Sequence, residues 1–131
     1  MINFWIGPLS KKEISFGFDY SDAEDLLEII KKVKKESGGA VIEVAKIVNG
    51  STLVENLGIH SVPDEKDERA CVAKSAISIF LTEDSLDYAI FKIEKFIAEG
   101  DFSPAEFGSF KSGKGFDFQI YFIKKMSMGF S

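Results

Sequence analysis

One cysteine, one histidine and one tryptophan in 131 residues leave little material for several common chemistries. With Cys71 alone no disulfide can close within the chain, which favours a reducing compartment. Cys71 opens an apolar run, where a thiol normally serves as a small buried hydrophobe rather than a nucleophile. His60 falls in a stretch that reads as loop, with no serine or cysteine motif beside it, so a general base has no context. The GxSxG, CxxC, HExxH and P-loop patterns do not occur. Ser112-Gly113-Lys114-Gly115 holds a lysine among small residues, but it reads as a turn between strands and lacks the helix a phosphate loop opens. The run Asp64-Glu65-Lys66-Asp67-Glu68 lacks the glycine and terminal glutamate of a calcium loop. No metal and no cofactor is therefore expected, and the chain is not expected to be an enzyme.

Long apolar runs are missing too. No stretch approaches the ~18 residues of a membrane span, and Met1 to Pro8 lacks the basic region and apolar run of a signal peptide. Cations are in the minority: 16 Lys and Arg against 21 Asp and Glu give a net charge of −5. An acidic balance of this kind disfavours nucleic acid and anionic membranes as partners. It suits a basic protein partner, or solubility alone. The expected location is the cytoplasm.

What the chain has is phenylalanine, 13 of them within a 45% apolar composition. Rings in that number imply a core of aromatic side chains on sheet faces, or rings left over for a partner. Ile2, Phe4 and Ile6 alternate with Asn3 and Trp5, and Ile14, Phe16 and Phe18 alternate with Ser15, Gly17 and Asp19, predicting two strands of a hairpin. Ser21 and Glu24 have the spacing of a capping box. Behind them Ala23, Leu26, Leu27, Ile30 and Val33 form one helical stripe, ended at Gly38-Gly39. Residues 40–48 read as a strand, Asn49-Gly50 as a hairpin turn and 51–55 as its return. Periodicity then fails, and 56–69 reads as the longest exposed loop.

Residues 71–81 predict one long strand feeding a helix capped by Thr82, striped by Leu86, Ile90, Ile93 and Ile97, and closed at Gly100. Strands at 104–111 and 116–122 follow, with a loose tail at 126–131. The expected fold class is α+β: a mainly antiparallel sheet of about seven strands carrying two amphipathic helices, in one domain and in the order β-β-α-β-β-β-α-β-β. A shift of 63 positions pairs Ile14 with Ile77, Phe16 with Ile79, Phe18 with Leu81, Leu27 with Ile90, Ile30 with Ile93 and Val33 with Phe96. Either the chain is an internal duplication or it holds two strand–helix units of similar length.

The charge pattern supplies the candidate site. Residues 13–30 hold Glu13, Asp19, Asp22, Glu24, Asp25 and Glu28 with no Lys or Arg. Glu83, Asp84 and Asp87 open the second helix, and Asp64, Glu65, Asp67 and Glu68 crowd the loop. Acids favour helix starts for reasons of the helix dipole alone. If the strands before the two helices run parallel in one sheet, however, both acidic starts meet at one edge and form a rim, with Tyr20 and Tyr88 as aromatic anchors. The expected partner-binding residues are thus Asp19, Tyr20, Asp22, Asp25, Glu83, Asp84, Asp87, Tyr88, Asp64, Glu65, Asp67 and Glu68.

In type, and over its whole length, the chain resembles the small immunity proteins that protect bacteria from polymorphic or contact-dependent-inhibition toxins. These are single acidic α+β domains without signal or catalytic motif. The resemblance implies a non-enzymatic inhibitor, monomeric or weakly dimeric, that binds a cognate basic toxin domain, often a nuclease, and covers its active site or substrate path. The family carries no motif onto particular residues, so the site residues rest on the charge pattern alone. Other uses fit the same composition: a small-molecule-binding or enzymatic α+β domain with a pocket between sheet and helices, an assembly module using spare Phe, or a phage-type inhibitor of nucleic-acid enzymes.

Overall fold

The structure is a computed structural model that describes residues 1–6, 12–46, 54–73, 75–113 and 115–125. Its strands are β1 (Ile2–Ile6), β2 (Glu13–Phe18), β3 (Gly39–Lys46), β4 (Asn56–Ser61), β5 (Arg69–Ala73), β6 (Ala76–Leu81), β7 (Glu106–Lys111) and β8 (Asp117–Lys124). Among the described residues there are also two helices, α1 (Tyr20–Glu36) and α2 (Glu83–Glu99), and one 3-10 turn at Glu65–Asp67. The α+β class holds, with one more strand than expected. Residues 71–81 are not one strand; the chain reverses between β5 and β6, which pair from Arg69↔Phe80 to Ala73↔Ala76. Residues 56–69 are not all loop either, since β4 occupies the first six and carries His60. The Asn49-Gly50 turn, most of the expected return strand at 51–55 and the tail at 126–131 lie outside the described residues.

One sheet takes all eight strands, in the order β5-β6-β4-β3-β1-β2-β8-β7. Four of its ladders are antiparallel (β1–β2, β3–β4, β5–β6, β7–β8) and three are parallel (β1–β3, β2–β8, β4–β6). The sheet curls until its edge strands β5 and β7 come back into contact, giving a nearly closed barrel. Strand alternation sends Ile14, Phe16, Phe18, Leu57, Ile59, Ile77, Ile79, Leu81, Ile120 and Phe122 into one buried cluster.

The 63-residue relation is structural. In the parallel ladders, Glu13↔Gln119 to Phe18↔Lys124 corresponds residue for residue with Ala76↔Asn56 to Leu81↔Ser61. Helices α1 and α2 start and end under the same shift. Each half is a β-β-α-β-β unit, and each half's second strand pairs with the other half's last strand. The halves differ at one place. β1 and β3 form a parallel ladder, whereas their counterparts β5 and β7 form none.

Followed through the ladders, β2 and β6 point to the same end of the barrel, and β3 and β7 start from that end. Both helices therefore lie across it as a lid. They are antiparallel neighbours: Lys34 pairs with Asp87 and Lys31 with Glu94, while Tyr20 stacks on Phe96. Ala23, Leu26, Ile30 and Val33 of α1 and Leu86, Ala89, Ile93 and Phe96 of α2 are buried beneath them. The phenylalanines do most of the filling at this end. Phe96 stacks on Phe102 at 4.3 Å, Phe107 on Phe122 at 4.7 Å, and Phe18 meets both Phe102 and Phe122.

Candidate functional site

The start of α1 is built two residues earlier than the Ser21/Glu24 spacing suggests. Asp19 is the cap: its carboxylate accepts from the Asp22 amide at 2.7 Å, and the Asp22 carboxylate accepts from the Asp19 amide at 3.0 Å. Ser37, in the left-handed conformation, rather than Gly38 or Gly39 caps the other end. Asp22 is buried and also pairs with Lys125 at 2.9 Å and the Met1 amine at 3.1 Å. Burial pushes its carboxyl upward, but the bonds from Lys125, the Asp19 amide and the Met1 amine outweigh that and hold it below its ordinary value. Asp19 shares Lys125 at 3.7 Å. These two acids are committed to joining α1, the first strand and the end of β8. Asp25, one turn on, points to solvent. Tyr20 is half exposed, its ring stacked on Phe96 at 5.3 Å and its hydroxyl set against Gly100, whose φ of 82° suits a glycine cap.

At α2 the expected cap holds, with the Thr82 hydroxyl accepting from the Ser85 amide at 3.4 Å. Glu68 accepts from the Thr82 amide at 2.9 Å and its hydroxyl at 2.8 Å, tying the acidic segment 64–68 to this helix start. Asp87 is 2.6 Å from Lys34 and raises that ammonium's pKa by hydrogen bonding. Glu83 and Asp84 are exposed and form no ion pair among the described residues. Asp64 caps the 3-10 turn, accepting from the Lys66 amide at 3.1 Å, and the Asp67 carbonyl accepts from Arg69. Glu65 is exposed. Tyr88 stacks on Phe107 at 5.8 Å, and the Lys92 ammonium lies 5.5 Å from the centre of its ring.

The acidic helix starts do share one end of the barrel, yet they do not form one rim. Because α1 and α2 are antiparallel, their starts lie at opposite ends of the lid, separated by about the 25 Å length of a 17-residue helix. Lys31 and Lys34 stand between them, paired with Glu94 and Asp87. The expected residues divide in two: Asp19, Tyr20, Asp22 and Asp25 on one side, and Glu83, Asp84, Asp87 and Tyr88 with Asp64, Glu65, Asp67 and Glu68 on the other.

A feature that charge counting missed lies on the flank of α1. An open cleft of about 430 Å³ runs between α1 and strands β1 and β3. Ile2, Leu26, Ile29 and Ile42 give it an apolar lining, and Asp25, Glu28 and Glu43 stand around it. These three carboxylates are exposed and carry no ion pair among the described residues. Glu43 comes from β3, and its one signal in the sequence is a lone acid in the apolar run Ala-Val-Ile-Glu-Val-Ala. An exposed ring was missed as well: Phe91, beside Tyr88 on α2, is 60% exposed, the most of any aromatic side chain among the described residues.

His60 and Cys71 lie on strands β4 and β5. His60 stacks on Phe80 at 4.7 Å, and Arg69 lies 3.8 Å from the same ring. Burial, with Arg69 adding to it, lowers the imidazole pKa below its ordinary value. Cys71 is half buried in β5. Among the described residues no group of three or more His, Cys, Asp or Glu could hold a metal ion, and no helix is long and apolar enough to cross a membrane. No family model, no curated protein and no solved structure matches the chain.

Proposed function

We propose that this chain is a non-enzymatic immunity protein that binds and neutralises a cognate basic toxin domain, of the nuclease type, through its acidic surface in the cytoplasm. The observation that carries the reading is the α1-flank cleft, where Asp25, Glu28 and Glu43 stand unpaired around an apolar floor. Such a cleft suits an arginine or lysine side chain. The aliphatic stem packs on Ile29 and Ile42 while the cationic head meets carboxylates. A toxin that binds phosphates presents those side chains at its active site, and covering them blocks its substrate. The unpaired acids also supply long-range attraction, which raises the association rate. The interior supports surface rather than internal binding. A void between sheet and helices, lined by Phe16, Leu26, Ile79 and Phe107, is about 20 Å³, room for roughly one water.

The test pairs this chain with a purified basic, nuclease-type toxin domain from the same source cell and measures association by stopped flow. Replacing Asp25 and Glu43 by Lys should slow association about tenfold at low salt and leave the thermal midpoint almost unchanged, since both side chains are exposed. An association rate indifferent to both ionic strength and these substitutions would refute electrostatic capture. Failure of the purified toxin to bind at all would refute the immunity reading.

A further inference from the structure

The two flanks of the helical lid correspond under the repeat but carry different chemistry. The 63-residue shift takes Asp25, Glu28 and Ile29 of the α1 flank onto Tyr88, Phe91 and Lys92 of α2. The connection to the next strand differs as well. Residues 37–38 suffice between α1 and β3, whereas residues 100–105 run between α2 and β7. That longer loop is pinned along the helix: the Lys92 ammonium donates to the Pro104 carbonyl, and the Lys95 ammonium donates to the Ser103 carbonyl at 3.2 Å. A notch of about 30 Å³ is left, with Tyr88, Phe91, Lys92 and Lys95 on one wall and residues 101–104 on the other. A small-molecule site needs about 300 Å³ or more. This one has room for the end of a single side chain.

Tyr88 and Phe91 lie three residues apart, so their exposed rings share one face of α2. Tyr88 is already fixed by its stack on Phe107, and covering a ring that is held in place loses little further side-chain freedom. Charge decides what covers this face. Lys92 is only 5% exposed, and Lys95 is turned onto the loop backbone. Asp84, one turn before Tyr88, is exposed, as are Asp101 on the loop and Glu106 at the start of β7. Asp101 lines the notch, and Glu106 is near enough to Lys92 to favour its charged form. None of these three acids forms an ion pair among the described residues. Three open carboxylates thus stand against one part-exposed cation, Lys95. Aromatic faces attract cations too. A guanidinium satisfies both at once, since its plane stacks on a ring while its edge pairs with a carboxylate, and an ammonium does this less well.

We propose that the face of α2 at Tyr88 and Phe91 docks an arginine side chain of a basic protein partner, its guanidinium lying between the Phe91 ring and the Asp101 carboxylate on the facing wall. The inference rests on the partner-binding reading for the owner of that arginine. It adds to the α1 cleft a contact on the other flank of the lid. Exposed aromatic rings govern how long a complex lasts, whereas open charges govern how fast it forms.

Three blocked peptides test it, carrying two arginines, two lysines or two citrullines between glycines, with the Tyr88 and Phe91 ring resonances followed by NMR at low salt. The arginine peptide should shift both rings saturably. Lysine should bind about twofold or more weaker, and citrulline, which keeps the plane but loses the charge, about tenfold weaker. Phe91→Ala, read at Tyr88, and Asp101→Asn should each weaken arginine binding about two- to fivefold. Both substitutions are at exposed positions, so the thermal midpoint should hold. Rings that do not move, equal binding of the citrulline peptide, or unchanged affinity in Phe91→Ala would overturn the proposal. Ring shifts that follow protein concentration without peptide would make a second copy the occupant and overturn it too. With the toxin domain, Phe91→Ala should speed dissociation and leave association unchanged, because it alters no charge. Normal toxin binding with no peptide response removes the arginine site alone, while peptide response with no toxin affinity removes the immunity reading alone.

Discussion

Substituting Asp22 by Asn separates the charge of this buried carboxylate from its shape. Asparagine can still accept from the Asp19 amide, but it no longer offsets Lys125 at 2.9 Å. A charge-assisted hydrogen bond contributes about 1.5–3 kcal/mol. Breaking a fully buried pair costs about 3–5 kcal/mol. Lys125 retains 22% of its side-chain exposure, so the orphaned ammonium can partly rehydrate, and the lower range applies. The expected cost is about 2 kcal/mol. An unfolding entropy of about 2.1 cal/mol/K per residue gives about 0.28 kcal/mol/K for this chain, so the thermal midpoint should fall by about 7 °C.

The pH dependence has a definite sign. In the fold Asp22 is held below its ordinary value of 3.8, so the unfolded chain binds its proton more readily. Its contribution is complete above that value and is lost as pH falls through the folded value. The gap between wild type and Asp22→Asn should therefore be full at pH 7 and close below about pH 4. Circular dichroism melts across that range are the assay, with Lys125→Met and the double variant completing a thermodynamic cycle. A loss under about 2 °C at pH 7, or single effects that simply add, would refute the assignment of Asp22 as the electrostatic tie between α1 and β8.

Lys92 titrates in the opposite region: burial, with Lys95 adding to it, lowers its pKa below the ordinary 10.5 although its ammonium donates to the Pro104 carbonyl. The folded state thus holds this proton less tightly, and stability should rise as pH climbs toward the unfolded value. Urea unfolding at pH 7 and pH 10 should show wild type gaining on Lys92→Met, and a constant difference would contradict it. Gly58 makes room for a ring: a Cβ there would sit 2.9 Å from the His60 Nε2. Gly58→Ala should cost about 1–2 kcal/mol by displacing His60 from Phe80, and the cost should vanish in a His60→Ala background, measured by chemical denaturation.

Much of the fold could be read locally, and the exceptions have traceable causes. The strands β2 and β6 and both helical stripes follow from periodicity, because each buries one face against the common core. The cap of α1 could not be read, since Asp19/Asp22 and Ser21/Glu24 both offer the right spacing. The earlier pair prevails in a structure where Lys125, over a hundred positions away, meets Asp22. Strand β4 was missed because Asn-Leu-Gly-Ile-His-Ser shows only Leu57 and Ile59 as apolar markers. Its Gly58 is spent on clearance for His60. The break between β5 and β6 carries no Gly or Pro to announce it.

The candidate site was legible as charge but not as place. Local sequence determined that acids would gather at two helix starts and in the 64–68 segment, because a helix dipole and a cap act within one turn. It determined the core too, since alternation and helical stripes settle which faces must leave water. Only the tertiary structure decided that two parallel strand–helix units would lay their helices antiparallel, splitting the acids between opposite ends of the lid. It alone brought Glu43 beside Asp25 and Glu28, and left β7 without the ladder that β3 forms with β1. Those outcomes depend on parallel pairings between residues 20 to 106 positions apart, and no local pattern encodes a pairing of that range.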